Sequence, residues 1–330
     1  MDAADVWTGP TVGELGELAV LGHVTARLPS GSPLVGPGDD CAVVAAPDGR
    51  FVVTTDMMVH GPDFRWAWSS PEDVGWKAAA TNLSDVAAMG AVPTGLVVAI
   101  AAPQDTPVAV LEGVADGFRL AVDALAPGIG VVGGDLSTSS AFTLAVTAFG
   151  DLQGRAPVLR TGARVDDVLA VAGELGAAAR GLGRLFRSGV DGAGVPSATA
   201  VRANGLDEDP DVARQRRPVP PIGSGRAAAR AGATAMLDLS DGLAIDGGRL
   251  ARASGVTLSL DAGVVDDDVA LHGGEDHGLL ATFPADVVLP AGFRRLGVVV
   301  ARGAADVLRA GEPVPTTGWD PYADWDGAAG

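Results

Sequence analysis

Cysteine is nearly absent from this chain. Cys41 stands alone in 330 residues, which excludes an intrachain disulfide and a cysteine-rich metal site and fits a reducing compartment. Lysine is equally scarce. Lys77 is the only one, no Gly-Lys pair exists, and a G-x-x-x-x-G-K-[ST] phosphate loop is therefore impossible. The G-x-G-x-x-G pattern of dinucleotide-binding turns is missing from the strand–helix junctions. Apolar runs such as 94–102 and 296–301 are too short to span a bilayer. The start, MDAADVWTG, has no basic stretch ahead of an apolar one, so a secretory leader is not expected and a cytoplasmic location is. Positive charge is in deficit: 23 Lys and Arg face 41 Asp and Glu, leaving −18, a poor balance for general nucleic-acid binding. The D-x-[DN]-x-[DN]-G loop of an EF-hand is also lacking.

What is present is the composition of a globular protein with a real core, 47% hydrophobic and 19% charged. The length suits one large domain or two ordinary ones. Residues 41–46 (CAVVAA) and 51–59 (FVVTTDMMV), split by Pro47-Asp48-Gly49, read as a β-hairpin. Ser70-Pro71-Glu72-Asp73 reads as a helix start, with a helix to Met89 stopped at Gly90. Strands are expected at 94–101, 129–133 and 141–149 and a helix at 107–125, so the first half holds a mixed sheet. A connection near 150–164 opens the second half. There, strands are expected at 168–172, 234–239, 256–260, 278–283 and 295–301, with helices at 176–187 and 241–253. Residues 189–222, rich in Gly, Pro, Asp and Arg, read as a long surface loop with one short helix. Trp319, Tyr322 and Trp325 in the tail are expected to pack back onto the body.

Acidic side chains recur at strand ends. Asp39 and Asp40 precede an apolar run, Asp56 lies inside one, and Asp135 closes Gly133-Gly134-Asp135. Asp238 and Asp241 bracket a strand–helix junction in LDLSDGL, and Glu275-Asp276 follow Gly273-Gly274. Thr54 and Asp56 point to one face of their strand and Thr55 to the other, while Thr81, Asn82 and Asp85 share a helix face. Taken singly, each has a plainer reading: a turn for Asp39-Asp40, an arginine partner for Asp56, a solvated helix face for Asn82 and Asp85, a helix cap for Ser240 or Asp241. Taken together they form a carboxylate cluster. Two such groups 4 Å apart repel by about 4 kcal/mol near a surface, and the economical remedy is a divalent cation such as Mg²⁺.

The stretches GPGDDCAVV, TTDMMV, KAAATNLSDVAAMGAVPTGL, VVGGDLS, RTGA, LDLSDGL and GGEDHGLL, in this order over 36–280, resemble the thiamine-monophosphate kinase family of the aminoimidazole-ribonucleotide synthetase-like superfamily. The resemblance implies an α/β fold of the α+β type in two domains. Residues 1–150 would hold a mixed sheet that binds ATP and metal and pairs in a homodimer barrel, and 151–330 an α/β domain completing the active site. It implies direct in-line transfer of the γ-phosphoryl of ATP to thiamine monophosphate, assisted by several Mg²⁺ ions and without a catalytic side chain. The positions matching metal ligands are Asp40, Thr54, Thr55, Asp56, Asp85, Asp135, Asp238 and Asp241. Those matching nucleotide contacts are Gly134, Asp135, Arg160 and Ser240, and those matching substrate contacts are Asp63, Glu275 and Trp319. The chain departs from the family pattern at Asp63 before Phe64, at His277 after GGED and in the terminal WDPYADW. Beside this stand another ATP-using enzyme of the superfamily, acting on an amide, carbamoyl or selenide substrate, and a non-catalytic divalent-cation binder. Lys77, two helical turns before Asp85, either pairs with the acidic region or lies on the surface.

Overall fold

The computed structural model describes residues 7–29, 31–34 and 44–318. The first half runs α1 (Val12–Leu15), α2 (Glu17–Thr25), β1 (Val52–Val59), α3 (Pro71–Ala88), β2 (Val92–Ala102), α4 (Val108–Leu125), β3 (Val131–Thr138) and β4 (Thr143–Asp151). The second runs β5 (Val168–Ala172), α5 (Ala177–Ser188), α6 (Ala198–Ala203), α7 (Pro210–Arg216), α8 (Ile222–Ala231), β6 (Ala235–Leu239) and α9 (Leu243–Ser254). It closes with β7 (Val256–Leu260), α10 (Asp268–His272), β8 (Gly278–Phe283), β9 (Phe293–Ala301), β10 (Val307–Arg309) and β11 (Glu312–Pro313). Among the described residues no helix is long and apolar enough to cross a membrane.

Two sheets form. The first has the order β1-β4-β2-β3, mixed because only β2 and β3 are parallel. The second has the order β11-β10-β7-β9-β5-β8-β6, with β10 and β7 its parallel pair. Period-2 alternation sets their faces: in β4, Leu144, Val146 and Ala148 are buried and the residues between them are not. The first sheet lays that buried face on α3, and the main apolar core continues from there into the second half, joining Val86 and Val146 with Met236 and Phe283.

Helix α3 is the hub. Ser70 caps it in a reciprocal capping box with Asp73, Pro71 sits in its first turn, and the alanine-rich interior has high helix propensity. Almost every residue from Pro71 to Ala88 is buried, so it is no ordinary surface helix with one apolar stripe. Small residues make this possible. A Cβ on Gly117 of α4 would lie 2.2 Å from the Glu72 carbonyl oxygen, and one on Gly225 of α8 would lie 2.0 Å from that of Ala87. Both helices therefore meet α3 backbone to backbone.

Two sequence expectations are corrected. The partner of β1 is not residues 41–46: 44–46 carry no strand, 41–43 lie outside the described residues, and β1 is antiparallel to β4 from Val52↔Gly150 to Val59↔Thr143. The 189–222 stretch is not a long loop. It holds α6, a 3-10 turn at Leu206–Glu208, α7 and the start of α8. Ser197 caps α6 and Asp209 caps α7, while Val201, Leu206 and Val212 pack with Trp68 and Leu185 in a satellite core. Two of its polar residues are caps, and its few apolar ones are spaced for short helices.

The contact between α3 and α4 predicts that Gly117→Ala costs about 1–3 kcal/mol, the usual penalty of overpacking. Urea denaturation of the variant against the parent chain measures it.

Candidate active site

The acidic side chains gather where β1 and α3 meet β6 and the start of α9. Thr54 and Asp56 share the β1 face turned to α3. Thr54 Oγ1 donates to Asp85 Oδ2 at 2.8 Å, and the Asp56 backbone N–H donates to Asn82 Oδ1 at 3.1 Å. Asn82 is itself buried and donates to the Ala78 carbonyl at 2.9 Å, so its amide is fixed. Asp56 and Asp85 line a polar pocket of about 190 Å³ with Asp238 and Asp246 opposite them. Arg160, Ser240 and Arg249 complete its polar wall.

Burial first, and behind it the crowding of like charge, shows in the protonation of these groups. Burial, the charges of Asp238 and Asp56, and only partial relief from Thr54 and His277 push the Asp85 carboxyl up to about 7. Asp56, at the open mouth, is also raised: partial burial leads, His277 opposes, and Asp238 and Asp241 add. Asp246 is raised to about 6, chiefly by burial, with the Asp241 N–H opposing.

The LDLSDG junction does not end in the expected side-chain cap. The N-cap of α9 is Gly242, with no side-chain bond. Asp246, inside the first turn, reaches back to accept from the N–H groups of Asp241 and Gly242 at 2.9 and 3.1 Å. Arg249 then bridges Asp241 and Asp246 at 2.5 and 2.6 Å. Asp241 is thereby ion-paired beside the pocket.

Within GGEDH, Gly274 to His277 each sit in a different local setting. A Cβ on Gly274 would lie 2.4 Å from the Ser240 carbonyl, so the segment passes directly under the β6–α9 junction. Asp276 accepts from the N–H groups of Gly176 and Ala178 at the start of α5, at 2.5 and 2.9 Å. Glu275 and His277 flank it with φ of 70° and 54°, left-handed conformations uncommon away from glycine. His277 is buried, and its Nδ1 lies 3.4 Å from Asp238 Oδ2. Burial pulls its pKa down, but the bond and charge of Asp238 outweigh that, and the net shift is upward.

Beside the acidic pocket lies a larger cavity of about 430 Å³, walled by Asp63, Glu275 and the aromatic rings of Phe64, Trp68 and Phe186. The Arg65 guanidinium stacks over Trp68 and Phe186, 4.8 and 4.9 Å from the ring centres. Asp63 accepts from the Val59 N–H at 2.7 Å. Its carboxyl is raised by burial, against that bond and the charge of Lys77, while Glu275 and Asp56 add to the rise.

The other positions singled out in the sequence fall elsewhere. Asp40 and Trp319 lie outside the described residues, although Gly318 lines the larger cavity. Thr55 points to the outer face of the sheet, donating to the Val146 carbonyl at 2.9 Å. Asp135 is in register with Ala99, Ala145 and Met57, which puts it on that outer face too. Gly134 is in the row of Asp56, Val146 and Val98. Three strand spacings of about 4.8 Å set it roughly 14 Å away from Asp56. Asp246 and Arg249 were missed, although the run of acids at 238, 241 and 246 was a usable signal. Lys77 is not on the surface: it is 4% exposed and its Nζ lies 2.5 Å from Glu275 Oε1.

Among the described residues no three Asp, Glu, His or Cys side chains stand close enough to hold an ion unaided. The donor set is nevertheless all oxygen, in a polar pocket with carboxylates that resist ionising together. That fits Mg²⁺, which keeps several waters and shares its coordination between one or two carboxylates and phosphate oxygens.

Comparison with known proteins agrees. The family described as AIR synthase related protein, N-terminal domain, matches residues 38–152. A thiamine-monophosphate kinase of Mycobacterium tuberculosis is 43% identical over 96% of this chain and 92% of its own. The crystal structure of thiamine-monophosphate kinase from Stenotrophomonas maltophilia K279a superposes with a TM-score of 0.73 at 31% identity, covering 91% of this chain and 98% of that one. A structure of AaThiL complexed with AMPPCP and TMP superposes with a TM-score of 0.67 at 26% identity, covering 94% and 98%.

The upward shift at Asp85 predicts a pH effect. A carboxyl that holds its proton more tightly in the folded chain than in the unfolded one favours folding at low pH. That favour is lost as pH rises through about 7. Protein stripped of divalent cations should therefore melt lower at about pH 8 than at about pH 5, and Asp85→Asn should recover about 1–2 kcal/mol of the difference. Thermal melts of both proteins with EDTA present give the answer.

Proposed function

The chain belongs to the thiamine-monophosphate kinase family, and we propose that it moves the γ-phosphoryl group of ATP onto the phosphate of thiamine monophosphate, yielding thiamine diphosphate and ADP. One observation carries this beyond the family relationship. An acidic pocket and an aromatic cavity adjoin, because the N–H of Glu275 on the cavity wall donates to the carbonyl of Ser240 on the pocket wall at 2.7 Å, as a site joining a polyphosphate to a phosphate ester that carries aromatic rings requires. Among the related structures, the AaThiL complex holds its AMPPCP and TMP together.

In this reading the acidic pocket takes the phosphates. Asp56, Asp85 and Asp238 would hold Mg²⁺, which neutralises phosphate charge and draws donor and acceptor together. Thr54 and Asn82 keep Asp85 and the β1 main chain in place. Arg160 contacts the ATP phosphates with its planar fork, and Ser240 lies beside it on the pocket wall. Arg249 restrains Asp241 and Asp246, which limits free negative charge at the rim. The larger cavity takes the organic end of the acceptor, with Asp63 and Glu275 on its wall and Trp319 following its last described lining residue. The acceptor phosphate is already an oxyanion near neutral pH, so attack needs no general base. The transfer is in-line and direct, its barrier lowered by positioning and charge compensation. Thr55 and Asp135 receive no role from the geometry of one chain.

The outer face of the first sheet has its own consequence. Phe51, just before β1, and Val53 and Met57 on one side of it are 58%, 54% and 60% exposed. We assign this face to a homodimer in which the first-half sheets of two copies meet. We also assign residues 1–150 and 151–330 to two domains, the second entered through 152–167, where Val158 N–H donates to the Met89 carbonyl and Met236 N–H to that of Leu159.

Two measurements test this. Purified protein given ATP, Mg²⁺ and thiamine monophosphate should form thiamine diphosphate, and Asp56→Asn or Asp85→Asn should lower turnover about 10²–10³-fold with the fold intact. Release of ADP without that product sinks the reading. Separately, Met57→Glu should turn a dimer into a monomer in sedimentation velocity runs.

A further inference from the structure

Lys and Arg together number 23, and all but Lys77 are arginine. The one lysine is placed where no arginine is: inside α3, 4% exposed, with Nζ 2.5 Å from Glu275 Oε1. Glu275 differs in kind. Its side chain is 32% exposed, lines the larger cavity, and springs from a backbone with φ of 70°. The buried ammonium has a fixed origin on a rigid helix, and the carboxylate is the end that could swing into solvent.

The surroundings leave that carboxylate as the loose part. The Glu275 N–H donates to the Ser240 carbonyl at 2.7 Å, Asp276 is bound to the start of α5, and the His277 carbonyl accepts from Ser84 Oγ at 3.2 Å. The main chain is therefore held on both sides of Glu275, and Ser84 holds it from the same helix face that carries Lys77 seven residues earlier. The exposed part of this group is the Glu275 carboxylate, and the ion pair to Lys77 is what sets its direction. A compact ammonium on a long stem can reach it from within a packed helix, where a planar guanidinium would need more width.

We propose that Lys77 is a positioning residue that aims the Glu275 carboxylate into the larger cavity, where it meets the organic, positively charged end of the acceptor. This rests on the reading above, in which that cavity holds thiamine monophosphate and its cationic ring. Lys77 itself touches neither substrate. Its removal leaves the phosphate pocket intact and lets Glu275 turn away, so acceptor binding suffers and ATP binding does not.

Steady-state kinetics on the full chain separate the possibilities. Lys77→Met should raise KM for thiamine monophosphate about tenfold while KM for ATP stays within about twofold and kcat within about threefold. The double variant Lys77→Met/Glu275→Gln should be no worse than Glu275→Gln alone, because both changes remove one interaction. Lys77→Gln, which keeps a hydrogen-bond donor in the buried space, is read the same way if the Met variant does not fold. Equal rises in both KM values, an unchanged acceptor KM, or losses that add in the double variant overturn the proposal. A parent chain that forms no thiamine diphosphate overturns the preceding reading and this one with it. A parent chain that does so, with unaltered acceptor KM in the Lys77 variants, overturns this one alone.

Discussion

The close packing of α3 on its neighbours is the constraint from which the rest follows. A helix buried all round must offer small residues wherever another backbone approaches, and must place its polar side chains against polar groups of its neighbours. Gly117 and Gly225 meet the first demand from α4 and α8. The second is met by using the polar residues as connectors. Lys77 goes to Glu275, Asn82 to the β1 main chain, Ser84 to the His277 carbonyl, and Asp85 to Thr54. One rigid rod therefore sets the distance between the two sheets and the placement of both cavities. An interior this dense transmits small displacements, and the site inherits its precision from the packing.

Charge is the second organising element. Burial, with the charge of neighbouring carboxylates added to it, holds Asp85, Asp56 and Asp246 above the usual carboxylate range. The chain offsets part of that charge itself. Arg249 takes Asp241 and Asp246, and His277 leans on Asp238. The remainder without a cationic partner, at Asp56 and Asp85, is where bound cations would add the missing balance. Left-handed backbone at Glu275 and His277 belongs to the same economy: local strain is tolerated where neighbouring bonds over-determine the chain.

Local chemistry made much of this legible in advance. Ser70-Pro71 and Asp73 announced α3 to within a residue at its start, because capping and propensity act over a few positions. Strands β5, β7 and β8 matched their expected spans, being short apolar runs between clear breakers. The hairpin at 41–59 failed for the opposite reason. Two β-like runs across a turn satisfy the local rule, but β4 offered β1 a full eight-residue ladder and a buried face. Residues 189–222 were misread because short helices capped by Ser197 and Asp209 have the composition of a loop. Their stability comes from Trp68 and Leu185, distant in sequence.

What the sequence determined by itself was the inventory: which acids, on which elements, facing which side, and a family pattern in their order. Period and capping are local, so a strand could be said to turn Thr54 and Asp56 one way and Thr55 the other. Which of these residues meet was decided only by the tertiary structure. Asp85, Asp56 and Asp238 come together across 182 residues of chain, since α3 is held between β1 and β6. Asp135, on the same sheet, faces away. Lys77 is the sharpest case. Nothing near it in the chain distinguishes a surface lysine from a buried one, and only the burial of α3 against the GGEDH segment gives its charge a partner.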